Sequence, residues 1–166
     1  MNHEVSSAAA CSIVVIEMIG YPDKPVAEQA QMRLRFNQLL GTALAGVRQE
    51  ARIVLDTADG AAITFIEDPD DALRCAARAR DAVMTAGTAA LALRSGIHCG
   101  PVMLIGEPGM PPNLAGDGLG VAQRVAGFAG VGRVFASRAF VDALANRHDA
   151  YRQLFEPAGV RTDAQL

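Results

Sequence analysis

Two apolar runs, residues 52–56 and 61–66, flank a short Asp59-Gly60 step, and an Asp-Gly turn between such runs is the strongest local signal for a β-hairpin. Upstream, residues 12–17 form a β-branched run that stops near Gly20 and reads as a strand buried on both faces. Between the two, Pro25 suits the first turn of a helix, and Val26, Ala30, Leu34, Leu40, Leu44 and Val47 recur at helical spacing, which predicts a helix running to about residues 46–48. After the hairpin, Asp68 reads as an N-cap, Pro69 as a first-turn proline, and Asp70 and Asp71 as acids placed against the positive end of a helix dipole. The alanine-rich stretch that follows is predicted helical to about Thr85.

Residues 91–99 and 102–105 read as two further strands separated by Gly100-Pro101, and residues 106–113 as a Gly- and Pro-rich loop. A helix is expected over residues 119–129, a strand over 133–136 and a short helix over 138–145. The order strand, helix, strand, strand, helix, strand is the βαββαβ arrangement of ferredoxin-like α/β (α+β) folds, here with an additional strand and helices.

A length of 166 residues with 51% hydrophobic content suits one domain, expected over residues 12–155 between tails at 1–11 and 156–166. The formal net charge of −3 comes without a block of basic residues, so the chain lacks the electrostatic footprint of a nucleic-acid binder. Cys11, Cys75 and Cys99 are odd in number and far apart, which fits neither a disulfide framework nor zinc ligands and points to a reducing, cytoplasmic setting. The N-terminus lacks the positive region of a signal peptide, and no apolar run reaches the roughly 18 residues needed to cross a bilayer. No membrane contact is expected of this segment, although it could belong with regulatory domains of a longer chain.

Four stretches in order then point to a family. Glu17-Met-Ile-Gly-Tyr21 resembles Asp-Ile-x-Gly-Phe, and Ala58-Asp-Gly-Ala-Ala-Ile-Thr-Phe65 resembles Gly-Asp-Gly-x-x-Ala-x-Phe. Arg94-Ser-Gly-Ile-His-Cys-Gly-Pro-Val102 is close to Arg-Ile-Gly-Ile-His-x-Gly-x-Val, and Gly116-Asp-Gly-Leu-Gly-Val-Ala-Gln-Arg124 is similar to Gly-x-x-Val-Asn-x-Ala-x-Arg. These are motifs of the class III nucleotidyl cyclase catalytic domain, the adenylate and guanylate cyclases, and they span about residues 12–145. Gly132 to Ser137 resembles the strand-to-helix step that closes that domain.

The resemblance implies a metal pair, Mg²⁺ or Mn²⁺, held by carboxylates at the positions of Glu17 and Asp59. Such ions would activate the ribose 3′-hydroxyl and stabilise charge on the α-phosphate and the pyrophosphate. It implies that the backbone of Met18, Ile19, Gly20 and Tyr21 receives the phosphates, with Gly20 allowing close approach. It assigns Arg124 to transition-state charge, Leu55 and Asn113 to the base-reading positions and Gly120 to a transition-state asparagine. The site would be shared in a homodimer, Glu17 and Asp59 from one chain and Leu55, Asn113, Gly120 and Arg124 from the other, with ATP or GTP as ligand.

The departures are as specific as the matches. Glutamate at position 17 reaches one methylene further than aspartate, which disfavours Mg²⁺ with its demand for near-ideal octahedral geometry relative to Mn²⁺. Leu55 cannot read a base edge by hydrogen bonding, whereas Asn113 can donate and accept. Gly120 supplies no side chain, and losing one transition-state donor costs about 10²–10³ in rate. A family Lys-Gly step beyond Phe155 has no counterpart before Leu166, and Arg161 is not assigned its role. Cyclisation of a purine nucleoside triphosphate is therefore expected to be weak, manganese-dependent and poorly base-selective, or lost. The alternative is a non-catalytic regulatory domain that senses a nucleotide, dimerises or binds a partner. Other features read as structural: the Gly116–Gly120 glycines lack dinucleotide-loop spacing, His98 is a hydrogen-bonded strand histidine, His3 and His148 are surface residues, Asp70 and Asp71 belong to a helix start, and Cys99 is an inert buried thiol.

Overall fold

A computed structural model of the chain describes residues 9–86, 91–106, 109–110 and 113–161. The loop expected over 106–113, both tails and His3 fall partly or wholly outside those residues. The elements are β1 (Ala9–Met18), α1 (Val26–Ala43), β2 (Arg52–Thr57), β3 (Gly60–Phe65), α2 (Pro69–Thr85) and β4 (Leu93–Ile105), then β5 (Asn113–Ala115), α3 (Asp117–Phe128), β6 (Val134–Ala136) and α4 (Arg138–Arg147). The first six are the expected βαββαβ unit, and the strand order β2-β3-β1-β4-β5 places β1 at its centre. β1 pairs antiparallel with β3 and with β4, while β6 joins β4 in parallel.

Central position explains the composition of β1. Val14, Ile16 and Met18 face the larger core, packed with Phe36 and Leu40 of α1, Cys75 and Ala76 of α2, and Phe140 and Leu144 of α4. Cys11, Ile13 and Val15 face the other way, onto Ala62, Val102 and the Ala122 and Ala126 face of α3. A strand covered on both sides can carry apolar residues continuously. The alternation places Glu17 on the α3 side of the sheet, away from the larger core.

Several expectations are corrected. The strands expected over 91–99 and 102–105 are one strand, β4, which begins at Leu93 and whose register with β1 runs unbroken through Gly100 and Pro101. Pro101 is tolerated because the far edge of β4 is paired only at 95–97 by β6 and at 103–105 by β5, so that edge needs no ladder bond where proline lacks its N–H. β1 starts at Ala9, so part of the expected tail is strand, and β5 was not foreseen at all. α1 ends at Ala43, short of 46–48, because the chain turns at Gly46 with φ 84°. Its buried stripe is Phe36, Leu40 and Ala43, whereas Val26 and Leu34 are 81% and 65% exposed.

The hairpin turn is also different from expectation. Thr57 pairs with Gly60, so the loop is Ala58-Asp59, and Gly60 is the first residue of β3. Gly60 is required by contact: a Cβ there would lie 1.8 Å from the carbonyl oxygen of Ile16. The N-cap reading of Asp68 holds, its Oδ1 accepting the Asp70 N–H at 3.0 Å. Asp70 in turn accepts from the Tyr151 hydroxyl at 2.9 Å, which ties the short 3₁₀ turn Asp149–Leu154 to the start of α2. The Cys99 thiol is pushed up chiefly by burial, as an inert thiol should be.

His98 on β4 lies 2.7 Å from Ser137 Oγ through Nδ1, and that Ser137 oxygen accepts the Phe140 N–H at 3.2 Å as the N-cap of α4. It is thus the hydrogen-bonded strand histidine expected. Burial first, and the neighbouring Arg124 second, hold its imidazole below the usual histidine range.

Two predictions follow from these contacts. Gly60→Ala is expected to lower unfolding free energy by about 3 kcal/mol, because a backbone carbonyl must move. Gly41→Ala, in the exposed last turn of α1 with nothing within 4 Å of a Cβ position, should raise it by about 0.5 kcal/mol, both read from urea melts. For His98 the folded state favours the neutral ring, so the unfolded chain takes up the proton first as pH falls. Its stabilising contribution is complete above about pH 6.5 and is lost as pH drops towards the lower folded value. Urea melts at about pH 7.5 and about pH 5.5 should show a smaller acid loss in His98→Gln than in the parent. An equal loss in both would show that His98 does not titrate differently on folding.

Candidate functional site

The end of β1 places Glu17 between Gly60 of β3 and Arg94 of β4, and Gly60 in turn pairs with Thr57 of β2. Thr57, Gly60, Glu17 and Arg94 therefore form one row across four strands. Directly opposed side chains share a face, so Glu17 and Arg94 meet. Arg94 Nε donates to Glu17 Oε2 at 2.7 Å, with the glutamate side chain 14% exposed and the arginine 33%. Only one carboxylate oxygen is engaged; among the described residues Oε1 has no partner.

Asp59 is the second residue of the hairpin loop. Its carbonyl accepts the Met18 N–H at 2.7 Å, so the residue that follows Glu17 is bonded to the backbone of Asp59. Its carboxylate makes no hydrogen bond or ion pair among the described residues. Thr57 Oγ1, in the same row, is buried without a hydrogen-bond partner. Glu17 Oε1 and the Asp59 carboxylate are hard oxygen donors of the kind that Mg²⁺ and Mn²⁺ take, so the residues fit a divalent ion. Among the described residues no group of three or more His, Cys, Asp or Glu gathers to hold a metal. A cation here would need further oxygens from water or from a bound phosphate.

The loop after β1 is narrower as a phosphate receptor than its sequence implies. Met18 N–H is committed to Asp59 and Ile19 N–H to the Ala92 carbonyl at 2.7 Å. Among the described residues, the amides of Gly20 and Tyr21 have no acceptor, and Gly20 sits at φ 80° with nothing within 4 Å of a Cβ position. Open space and two free donors at a left-handed glycine suit an anion. Of the four amides assigned to phosphate, the fold leaves these two.

Leu55 lies on β2 two residues before Thr57, half-buried on the same face as the Glu17 row and paired with Ala62. Gly120 and Arg124 lie one helical turn apart on α3, the helix that covers this face through Ala122 and Ala126. A Cβ at Gly120 meets nothing within 4 Å, and Arg124 is exposed with no hydrogen bond or ion pair among the described residues. Asn113 opens β5, exposed, with its Oδ1 accepting the Leu114 N–H at 2.8 Å. One chain thus brings Glu17, Asp59, Gly20 and Tyr21 together at a single sheet end, and carries Leu55, Asn113, Gly120 and Arg124 on three other elements.

Sequence reasoning quoted Arg94 only as part of a motif and missed its pairing with Glu17. The contact depends on strand register, and residues 77 apart carry no local signal of it. It also passed over Arg33 of α1, whose guanidinium reaches the hairpin carbonyls.

No family profile matches the sequence, and no curated protein matches it. Solved structures do. An adenylate/guanylate cyclase/hydrolase from Silicibacter pomeroyi is 22% identical, with TM-score 0.67 over 85% of this chain and 83% of that one. The guanylyl cyclase domain of a RhoGC fusion protein from Blastocladiella emersonii is 15% identical, with TM-score 0.67 over 87% and 88%. The adenylyl cyclase CyaB from P. aeruginosa is 11% identical, with TM-score 0.64 over 85% and 84%. At such identities the likeness speaks for architecture, and together with the strand order it shows that this chain has the fold of the class III nucleotidyl cyclase domains.

Proposed function

We propose that this domain binds a purine nucleoside triphosphate with a divalent ion at the Glu17–Asp59 end of the sheet and cyclises it slowly to the 3′,5′-cyclic monophosphate. The observation that carries the reading is the bond from Met18 N–H to the Asp59 carbonyl, which holds the two acid-bearing segments together beside the open Gly20 loop. Glu17 and Asp59 would hold Mg²⁺ or Mn²⁺, which supplies Lewis-acid stabilisation of phosphoryl oxygens. The free amides of Gly20 and Tyr21 would receive phosphate oxygens.

In the reaction, the ribose 3′-oxygen forms a bond to the α-phosphorus and loses its proton to solvent. The bond from that phosphorus to the bridging oxygen breaks, and pyrophosphate leaves. Arg124, a charged fork with no partner among the described residues, suits the charge that develops on the phosphorus oxygens. It is proposed to act from a second copy of the chain, with Leu55 and Asn113 at the base. Leu55 offers the base only an apolar contact, so discrimination between ATP and GTP should be poor.

The ion pair between Glu17 and Arg94 favours a second reading, a nucleotide-sensing domain without turnover. Arg94 cancels one of the two negative charges that would attract a cation, and Gly120 supplies no donor to the transition state. Incubating the pure domain with ATP or GTP and Mn²⁺, and measuring cyclic nucleotide alongside nucleotide binding, separates the two. Product that disappears in Asp59→Ala supports the cyclase. Binding without product supports the sensor, and absence of both sinks the nucleotide reading. Because a side chain at position 120 meets open space, Gly120→Asn should fold normally and raise product formation by about 10²-fold, the worth of one transition-state donor. A folded Gly120→Asn at the parental rate would show that this position is not what limits turnover.

A further inference from the structure

The Ala58-Asp59 loop has an unusual backbone for its length. Two-residue hairpins favour turns with positive φ at the loop residues, since that twist matches the flanking strands and negative φ splays them. Here neither Ala58 nor Asp59 has positive φ, and Gly60 is not among the glycines that do. The turn that carries Asp59 therefore lacks the backbone twist that most favours a two-residue hairpin, and contacts from outside the hairpin bear on its conformation.

Arg33, from the middle of α1, supplies such contacts. Its Nη1 donates to the Gly60 carbonyl at 2.9 Å, and its Nη2 donates to the carbonyls of Thr57 at 3.2 Å and Ala58 at 3.1 Å. The remaining turn carbonyl, that of Asp59, accepts from Met18 N–H. All four carbonyls of the turn are thus bonded, three of them to one guanidinium. The same guanidinium lies 5.2 Å from the Tyr21 ring centroid and 5.8 Å from that of Phe36, within cation–π range of both. Phe36 is buried in the larger core, and Tyr21 belongs to the loop with the free amides. Arg33 forms no ion pair among the described residues, so its charge is spent on carbonyl dipoles and ring faces.

We propose that Arg33 is the positioning residue of the candidate cation site: it fixes the hairpin loop so that the Asp59 carboxylate is presented beside Glu17, and it ties that loop to Tyr21 and to the core. The proposal rests on the reading of Glu17 and Asp59 as the cation site. A planar fork is required, since two separate nitrogens serve carbonyls on opposite sides of the turn. A lysine ammonium places its three donors on one atom and cannot span them.

The test uses the full chain with Arg33→Met, which keeps an apolar stem under Tyr21, and Arg33→Lys. Arg48→Met, whose exposed pair with Glu67 lies away from the site, is the control. Two readouts are taken: hydrogen exchange at the Met18 amide, which reports the bond to Asp59, and Mn²⁺ binding without nucleotide. In Arg33→Met, Met18 exchange should quicken about tenfold, the scale of losing a charge-assisted hydrogen bond. Mn²⁺ affinity should fall about 10- to 100-fold, as for loss of a group that orients a metal ligand. Asp59→Asn should weaken Mn²⁺ binding in the parent and add little in the Arg33→Met background. Arg33→Lys should fold and show the same losses in smaller measure. Folded variants with Met18 exchange and Mn²⁺ affinity within about twofold of the control would overturn the proposal. If the parent binds no Mn²⁺, the reading of the cation site fails, and the exchange readout still decides whether Arg33 holds the turn.

Discussion

Gly60 is seated directly on the backbone of β1, and the register of the whole sheet follows from that contact. The space that a Cβ would need is taken by the Ile16 carbonyl, so only a glycine fits on β3 at this point of its ladder with β1. With Gly60 opposite Glu17, the alternation of β1 is set: Val14, Ile16 and Met18 enter the larger core, and Ile13 and Val15 meet α3. A slip by one residue would turn Glu17 into the core and lift Ile16 out of it. The position of the acid and the integrity of the core are thus consequences of one close approach.

The electrostatics of the site pull in two directions. Two carboxylates without a cation would repel, and the Arg94 guanidinium relieves this by binding Glu17 on a half-buried sheet face. The relief comes at the expense of cation affinity, because an ion must now share Glu17 with a fixed positive charge. It also favours an anionic ligand, since Arg94, Arg33 and the amides of Gly20 and Tyr21 all lie near the same sheet end. On this balance, if the proposed site is used, a triphosphate that arrives with its own cation would be a better ligand than the free ion.

Much of this was legible in the sequence wherever the governing physics is local. The N-cap at Asp68 with Pro69, the β-branched run of β1 and the two strands about the hairpin all follow from nearest-neighbour rules, and they placed Glu17 and Asp59 at element ends. What failed depended on contacts between distant residues. Val26 and Leu34 look like core at helical spacing, yet both are turned to solvent, and α1 buries only Phe36, Leu40 and Ala43. Gly100-Pro101 looks like a break, yet the far edge of β4 is unpaired there. The Asp-Gly step looks like a turn made by glycine, when the glycine is there for β1 and the loop is held by Arg33 on another element. The ion pair of Glu17 with Arg94 belongs to the same class, since only the register brings them together.

Two of the positions where this chain departs from the cyclase pattern, 55 and 120, are ones on which its packing does not depend. Gly60, Gly96 and Gly118 are each pressed against other atoms and are needed to assemble the sheet and seat α3. Gly120, by contrast, faces open space, and Leu55 is only half-buried at a sheet edge. A side chain can be lost at such places, or exchanged for an apolar one, without disturbing the core. Fold and turnover are therefore separable in this molecule: the contacts that hold Glu17 and Asp59 together are structural requirements of β1, β3 and their hairpin, and they would persist whether or not a nucleotide is ever cyclised. For that reason the geometry of the acids bears only on where the proposed ligand would sit, and the chemistry at positions 55 and 120 is what bears on how fast anything would happen to it.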